Sequence, residues 1–259
     1  MTSTRIDTSV AHAARRYNYW LGGKDHFQAD RDSGDAIAEA FPSIRVAALA
    51  NRAFMGRAVE LLSRLGVRQF LDIGAGIPAP GNTHELAQAI APETSVVYVD
   101  NDPLVMAHLR ALTTCPGPGC SACVEADVRA YREILAHPQV HETLDLTRPV
   151  GLLLVAVLHF VSEDDDPYEI VGGLVQGLAS GSYLVLSHGT MDFAPPQNLA
   201  MPQASFWPRS RDEVARFVKG LDVLEPGIVS VADWRAEDEP GPRPSPTETG
   251  IYGVVARRP

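Results

Sequence analysis

The chain has 259 residues, 45% of them apolar and 21% charged, the balance of a globular protein with one large core rather than of a disordered or fibrous chain. Asp and Glu outnumber Lys and Arg 32 to 22, and a net charge of -10 makes a polyphosphate backbone a poor partner. No apolar run approaches the roughly 18 residues of a membrane span, and the first ten residues hold no signal-peptide core. The three cysteines suggest no disulfide framework, so a cytoplasmic protein without membrane or nucleic-acid partners is expected.

In chain order, the first 66 residues read as helical throughout. Residues 10–20 form one candidate helix, stopped by Gly22-Gly23, and residues 27–41 a second, ended by Pro42. Ser43 suits an N-cap for a third over 44–65, in which Phe54, Ala58, Leu61 and Leu65 recur at helical spacing and Gly66 takes the C-cap place. With no strands among them, these helices are expected to cap a later sheet. From residue 67, short apolar runs alternate with helical stretches, the pattern of βαβ units and a parallel sheet. Strands are predicted over 68–73, 95–99, 122–126, 150–158 and 182–187, with two last ones over 221–224 and 251–256. Helices fall over 83–90, 103–112, 167–178 and 211–219. The run 150–158 is the most apolar, as befits a central strand covered on both faces. Residues 237–247 are rich in Pro and charge and read as a surface loop. No linker is visible, so one domain over 1–259 is expected, with a helical cap over 1–66 and an α/β core over 67–259.

Three signals fall on carboxyl ends of predicted strands, where open α/β sheets bind ligands. The first is the run Asp72-Ile73-Gly74-Ala75-Gly76-Ile77-Pro78. Its glycines let the backbone turn sharply and let a ligand approach with no Cβ in the way, and Asp72 can accept from a cationic ligand group. A lone Gly-x-Gly also serves as a plain tight turn. The third glycine of the dinucleotide fingerprint is missing, which counts against a nicotinamide cofactor. The second signal is Asp100-Asn101-Asp102. Asp100 follows Gly74 by 26 residues, near the roughly 20-residue offset of an acid that holds ribose hydroxyls. Asp102 before Pro103 suits a helix N-cap. The third is Asp127-Val128, where an acid can accept from the exocyclic amine of adenine or stand as a solvated loop residue.

This order resembles that of the class I Rossmann-like S-adenosylmethionine methyltransferases. More narrowly, the chain resembles the actinobacterial S-adenosyl methyltransferase family once catalogued as a domain of unknown function. The likeness is carried by residues 16–25 (RYNYWLGGKD), 50–54, 69–76, 97–103, 153–161 and 181–188, with Pro226-Gly227 and Trp234-Arg235. It therefore spans nearly the whole chain. The resemblance implies a seven-stranded, mostly parallel sheet with an antiparallel last strand and helices on both faces, and S-adenosylmethionine as cofactor. It implies that Asp72, Gly74 and Gly76 face the methionine part, Asp100 with its neighbour Asn101 the ribose, and Asp127 with Val128 the adenine. The missing third glycine departs from the wider class pattern. The acceptor stays open, and the acidic charge favours a small molecule. A sensor that binds S-adenosylmethionine or its product without turnover, and a nicotinamide-dependent oxidoreductase, are the alternatives.

Methyl transfer asks a protein mainly to position nucleophile and methyl, with a base for some acceptors. His159, at the end of the most apolar predicted strand, and His188, at the end of the fifth, are candidates for base or acceptor contact, or for histidines that merely hold a neighbouring loop. Tyr17, Tyr19 and Trp20 can line a sulfonium site or pack in a cap helix. Gly22-Gly23-Lys24-Asp25 is harder to explain by packing, so Tyr17, Gly22, Gly23 and Lys24 are expected to close over the cofactor. Asn51 and Arg52 read as a solvated helix face. Cys115, Cys120 and Cys123 have a spacing that zinc can use, yet read better as adventitious, and the acids at 163–166 read as a helix N-terminus rather than a magnesium site. No metal is expected.

Overall fold

The apolar runs after residue 67 pair into one sheet in the computed structural model of the chain, which describes residues 6–112, 119–194, 206–237, 239 and 241–259. Helices α1 (Ala13–Trp20), α2 (Gln28–Ala40) and α3 (Ile44–Arg64) come first. They are followed by β1 (Gln69–Ile73), α4 (Thr83–Ile90), β2 (Ser95–Asp100), α5 (Pro103–Leu112) and β3 (Ser121–Glu125). Next come α6 (Tyr131–Ala136), α7 (Pro138–Thr143), β4 (Gly151–Val155), α8 (Pro167–Gln176) and β5 (Tyr183–Gly189). The last elements are α9 (Arg211–Phe217), β6 (Asp222–Val223), β7 (Val229–Ser230), α10 (Pro246–Thr249) and β8 (Ile251–Arg257).

The strand order is β3-β2-β1-β4-β5-β8-β6. Strands β3, β2, β1, β4 and β5 are parallel, and β8 runs antiparallel to β5. The described sheet has eight strands rather than seven. The extra one arises because β6 and β7, two residues each, pair antiparallel with different parts of β8. The order reverses beside β1, whose neighbours are β2 and β4, so the loops after these strands diverge and leave a crevice at their carboxyl ends.

Alternate residues of each central strand enter opposite cores. Leu71, Val97, Leu152 and Leu186 pack with Ile134, Ile170 and Phe217 from α6, α8 and α9. Phe70, Val96, Leu153 and Val185 pack with Phe54 and Leu62 of α3 and with Met106 of α5. Helix α3 is therefore a wall of the sheet's own core. Among the described residues before β1, α1 and α2 pack on each other and, through α1, on α3.

Two boundaries differ from the expected ones in a way that moves candidate residues. Strand β4 stops at Val155, because Ala156 takes a left-handed φ of 57° while its N–H donates to Ser187 Oγ at 2.9 Å. His159 thus sits on the 3-10 turn Leu158–Phe160 rather than on a strand. Strand β5 runs on to Gly189, which puts His188 inside it. The expected loop at 237–247 yields α10 at its end, where Ser245 caps by accepting from Glu248 N. Among the described residues no helix is long and apolar enough to cross a membrane.

Candidate functional site

The loop after β1 is shaped by two glycines with different duties. Gly74 has φ +75°, and a Cβ there would lie 2.2 Å from Val157 Cγ2. Gly76 has φ +69°, and a Cβ there would meet nothing within 4 Å. Gly74 is demanded by packing and Gly76 by backbone conformation, with open space beside it. The loop is tied to β2 by Asp100, whose Oδ2 accepts from Gly76 N at 2.8 Å and whose Oδ1 accepts from Asp102 N at 2.9 Å. A carboxylate offers about four lone-pair positions, so Asp100 keeps about two.

Asp72 is the penultimate residue of β1, 6% exposed. Its Oδ2 accepts from Thr83 Oγ1 at 2.6 Å. Burial pushes its carboxyl up to about 6; the Thr83 bond and the Arg52 charge act against this, and Asp100 adds to it. Asp102 does different work. Its Oδ1 caps α5 at Leu104 N (2.8 Å), and its Oδ2 takes Arg15 Nε (2.9 Å) and faces His12 Nδ1 (3.0 Å). Burial raises the Asp102 carboxyl, but His12, the Leu104 N–H and Arg15 outweigh it and bring it to about 2.

Beyond β3, Asp127 is fully engaged. Its Oδ1 accepts from Arg129 N (2.9 Å) and Arg129 Nη1 (3.0 Å), and its Oδ2 from Asn101 Nδ2 (2.8 Å) and again Arg129 Nη1 (2.9 Å). Arg129 also donates to Asp165 Oδ2 at 3.0 Å and to Phe160 O at 3.1 Å.

All these ends open on one cavity of about 520 Å³, within the usual range for small-molecule sites. Asp72, Gly74, Gly76, Asp100, Asn101, Asp127, Val128 and His159 line it, and Tyr17 does so from α1. Gly22, Gly23, Lys24 and His188 do not line it. Gly22 is left-handed, a Cβ on Gly23 would meet the Asn18 amide at 2.3 Å, and Asn18 Oδ1 accepts from Asp25 N at 3.0 Å. The Gly-Gly-Lys-Asp run therefore closes back on α1 as a turn.

The two histidines have separate surroundings. The His159 ring receives the Gly189 N–H on Nδ1 at 3.2 Å, which leaves the proton of the neutral ring on Nε2. Burial, then the neighbouring His188 and Arg209, hold its pKa well below the usual value. His188 is fully buried; its Nδ1 contacts Gly189 O at 2.8 Å and its Nε2 contacts Arg209 Nη1 at 2.9 Å. With both nitrogens in use and burial lowering its pKa to about 4, His188 is a neutral bridge to Arg209. Arg209, 2% exposed, also holds Leu158 O, Val161 O and Glu163 Oε1, which fixes the turn that carries His159.

Asn51 and Arg52 were expected on a solvated face, and both line the cavity instead. Asn51 is 1% exposed; its Nδ2 donates to Tyr17 Oη at 3.0 Å, and its Oδ1 is buried with no partner. Tyr17 Oη donates to Ala48 O at 2.9 Å. Arg52 Nη2 braces the loop beyond Gly76 through Ala79 O (3.2 Å) and Gly81 O (3.0 Å). The available signal was Asn51 itself, a polar residue in register with Phe54, Met55, Ala58 and Leu62 on an apolar helix face.

Among the described residues no group of three or more His, Cys, Asp or Glu side chains is placed to hold a metal. Cys120 is disulfide-bonded, where no disulfide framework was expected; Cys123 is buried on β3, and Cys115 lies outside the described residues. Asp166 caps α8 by accepting from Glu169 N at 3.2 Å, the helix-terminus role expected of this acidic run.

A family model described as S-adenosyl methyltransferase matches residues 1–259. A crystal structure of a DUF574 family protein from Streptomyces avermitilis superposes with a TM-score of 0.90 at 44% identity, covering 98% of this chain and 100% of that one. A Thermobifida fusca protein whose crystal structure is described as that of a methyltransferase gives 0.90 at 37% identity, covering 97% and 96%. Magnesium protoporphyrin IX methyltransferase from Synechocystis, crystallised with bound S-adenosylmethionine, shares the fold at a TM-score of 0.53 and 14% identity, over 94% of this chain and 90% of that one. No curated protein matches.

Proposed function

We propose seats for the methyl donor and the acceptor in a chain that belongs to the S-adenosyl methyltransferase family and is an S-adenosylmethionine-dependent methyltransferase. When bound, the donor supplies a methyl already activated on a sulfonium, so the protein's task is placement. Unused acceptor positions at Asp72, Asn51 and Asp100 support one orientation. Asp72 and the unpartnered Asn51 Oδ1 receive the donor's ammonium group. Asp100, with about two lone pairs in hand, receives the ribose hydroxyls, and Asn101 flanks them. Asp127 receives the exocyclic amine of adenine by releasing one contact to Arg129, which keeps Asp165 and Phe160 O, and Val128 borders the ring. The open space at Gly76 lets the nucleoside lie close to the backbone.

Arg52, whose charge reaches Asp72, faces the donor carboxylate. His159 donates from Nε2 to the acceptor and orients the lone pair that attacks the methyl. His188 acts as a positioning residue through Arg209 and the turn that carries His159. A small-molecule acceptor fits a cavity of this size, lined in part by α1 and α2, on a chain of net charge -10. The observation that carries this reading is the convergence of Asp72, Asp100 and Asp127 on one cavity.

Calorimetry with S-adenosylhomocysteine checks it directly. Asp100→Ala should lose about 1.5–3 kcal/mol of affinity, about 10- to 150-fold, as a charged hydrogen-bond acceptor is removed. Unchanged affinity would take Asp100 out of the ribose seat.

A further inference from the structure

Two adjacent arginines of α1 meet opposite fates. Arg15 is paired, through Nε to Asp102 Oδ2 at 2.9 Å and through Nη1 to Asp7 O at 2.9 Å. Arg16 is 9% exposed and lines the cavity, yet its side chain makes no hydrogen bond or ion pair among the described residues, and its Nε is buried without a partner. Burial lowers its pKa, and the field of Asp30 only offsets this. Asp30 is already engaged elsewhere: Oδ1 accepts from His12 N and Oδ2 from Phe27 N, both at 2.8 Å, and Oδ2 lies 3.7 Å from Arg15 Nη1. A guanidinium removed from water with no hydrogen-bond or ion-pair partner is costly, and one kept at a cavity wall points to a ligand.

We infer that Arg16 is the anchor of the acceptor, and that the acceptor is a small molecule bearing a carboxylate on an apolar body. This rests on the donor seat argued above. The donor has a carboxylate of its own, but Arg52 is the cation whose field reaches Asp72, whereas the carboxylate whose field reaches Arg16 is Asp30 of α2. Arg16 thus belongs to the cap side of the cavity, where Trp20, Ile37, Phe41 and Ile44 supply an apolar lining. One unpaired cation balances one negative charge, and a planar guanidinium matches a carboxylate in two parallel hydrogen bonds. The methylated atom is then a different atom of the same molecule, carried to the donor by this anchorage.

The probes are benzoate, phenylacetate and 3-phenylpropionate, each beside its own amide, added to the full chain saturated with S-adenosylhomocysteine. Binding is read by ligand-observed NMR and by the shift in melting temperature. At least one carboxylate should bind ten-fold or more tightly than its amide. Arg16→Met should abolish that preference, Arg16→Lys should keep part of it, and S-adenosylhomocysteine affinity should stay within two-fold in both. Ligand-free Arg16→Met should also melt higher than wild type, since it removes a buried charge that has no partner. The inference fails if no carboxylate outdoes its amide, if the preference survives Arg16→Met, if Arg16→Met melts lower, or if it loses ten-fold or more in S-adenosylhomocysteine affinity, which would assign Arg16 to the donor. A wild-type protein that does not bind S-adenosylhomocysteine would sink the donor seat and this inference together. Binding of S-adenosylhomocysteine without any carboxylate preference would sink this inference alone.

Discussion

Asp72→Asn should stabilise the ligand-free protein while weakening its hold on the donor. Burial lifts the Asp72 carboxyl from its ordinary 3.8 to about 6. A carboxyl that holds its proton more tightly when folded favours the fold below pH 4. That advantage is lost as pH rises through about 6, because the unfolded chain ionises first. The full loss corresponds to about 3 kcal/mol. Asparagine carries no charge, and its amide oxygen can still accept from Thr83 Oγ1, which bonds Asp72 at 2.6 Å. Urea unfolding followed by tryptophan fluorescence should therefore show Asp72→Asn more stable than wild type by up to about 3 kcal/mol at pH 8, with the difference vanishing near pH 4. At pH 8 the same variant should bind S-adenosylhomocysteine about 10- to 150-fold more weakly, for want of an anion facing the ammonium. Wild-type affinity should itself fall as pH drops below about 6, where Asp72 takes up its proton. An Asp72→Asn protein that is less stable at pH 8, or that binds the ligand as tightly as wild type, would refute the reasoning.

The two loop glycines should separate folding from binding. Gly74→Ala puts a methyl 2.2 Å from Val157 Cγ2 at φ +75° and should cost about 2 kcal/mol or more in urea unfolding, whereas Gly76→Ala, in open space at φ +69°, should cost about 1 kcal/mol and act mainly on ligand affinity. Arg52→Met should weaken S-adenosylhomocysteine by about ten-fold or more and leave 5′-methylthioadenosine, which lacks the amino-acid portion, unchanged in calorimetry. Equal losses for the two ligands would mean that Arg52 acts only by bracing residues 79–81.

The parallel sheet was legible because β1, β2 and β5 are short apolar runs bounded by Gly, Pro or acids, and such runs have few other folded fates. Asp72, Asp100 and Asp127 were legible for a related reason: each stands where a strand exits at its carboxyl end, and the parallel order brings those ends together. The end of β4 was not legible. Leu158 and Val161, on the turn after it, are as buried as the strand, so apolarity runs past the point where Ala156 leaves the sheet. Helices α6 and α7, six residues each, are too short for helical periodicity to show. Gly22-Gly23-Lys24 suggested a lid and proved to be a turn, since contact with Asn18, a neighbour in space, demands the small residue. Arg16 and Asn51 depend on which partners are absent, and only tertiary structure reveals that.

The central claim is that the ends of β1, β2 and β3 jointly seat an adenosyl group. A crystal structure of the full chain with S-adenosylhomocysteine tests it most directly. The account predicts the amino-acid end between Asp72 and Asn51, the ribose hydroxyls on Asp100, and the adenine amine on Asp127. A nucleoside bound outside the cavity, or lying in it the other way round with adenine against Asp72, would contradict it.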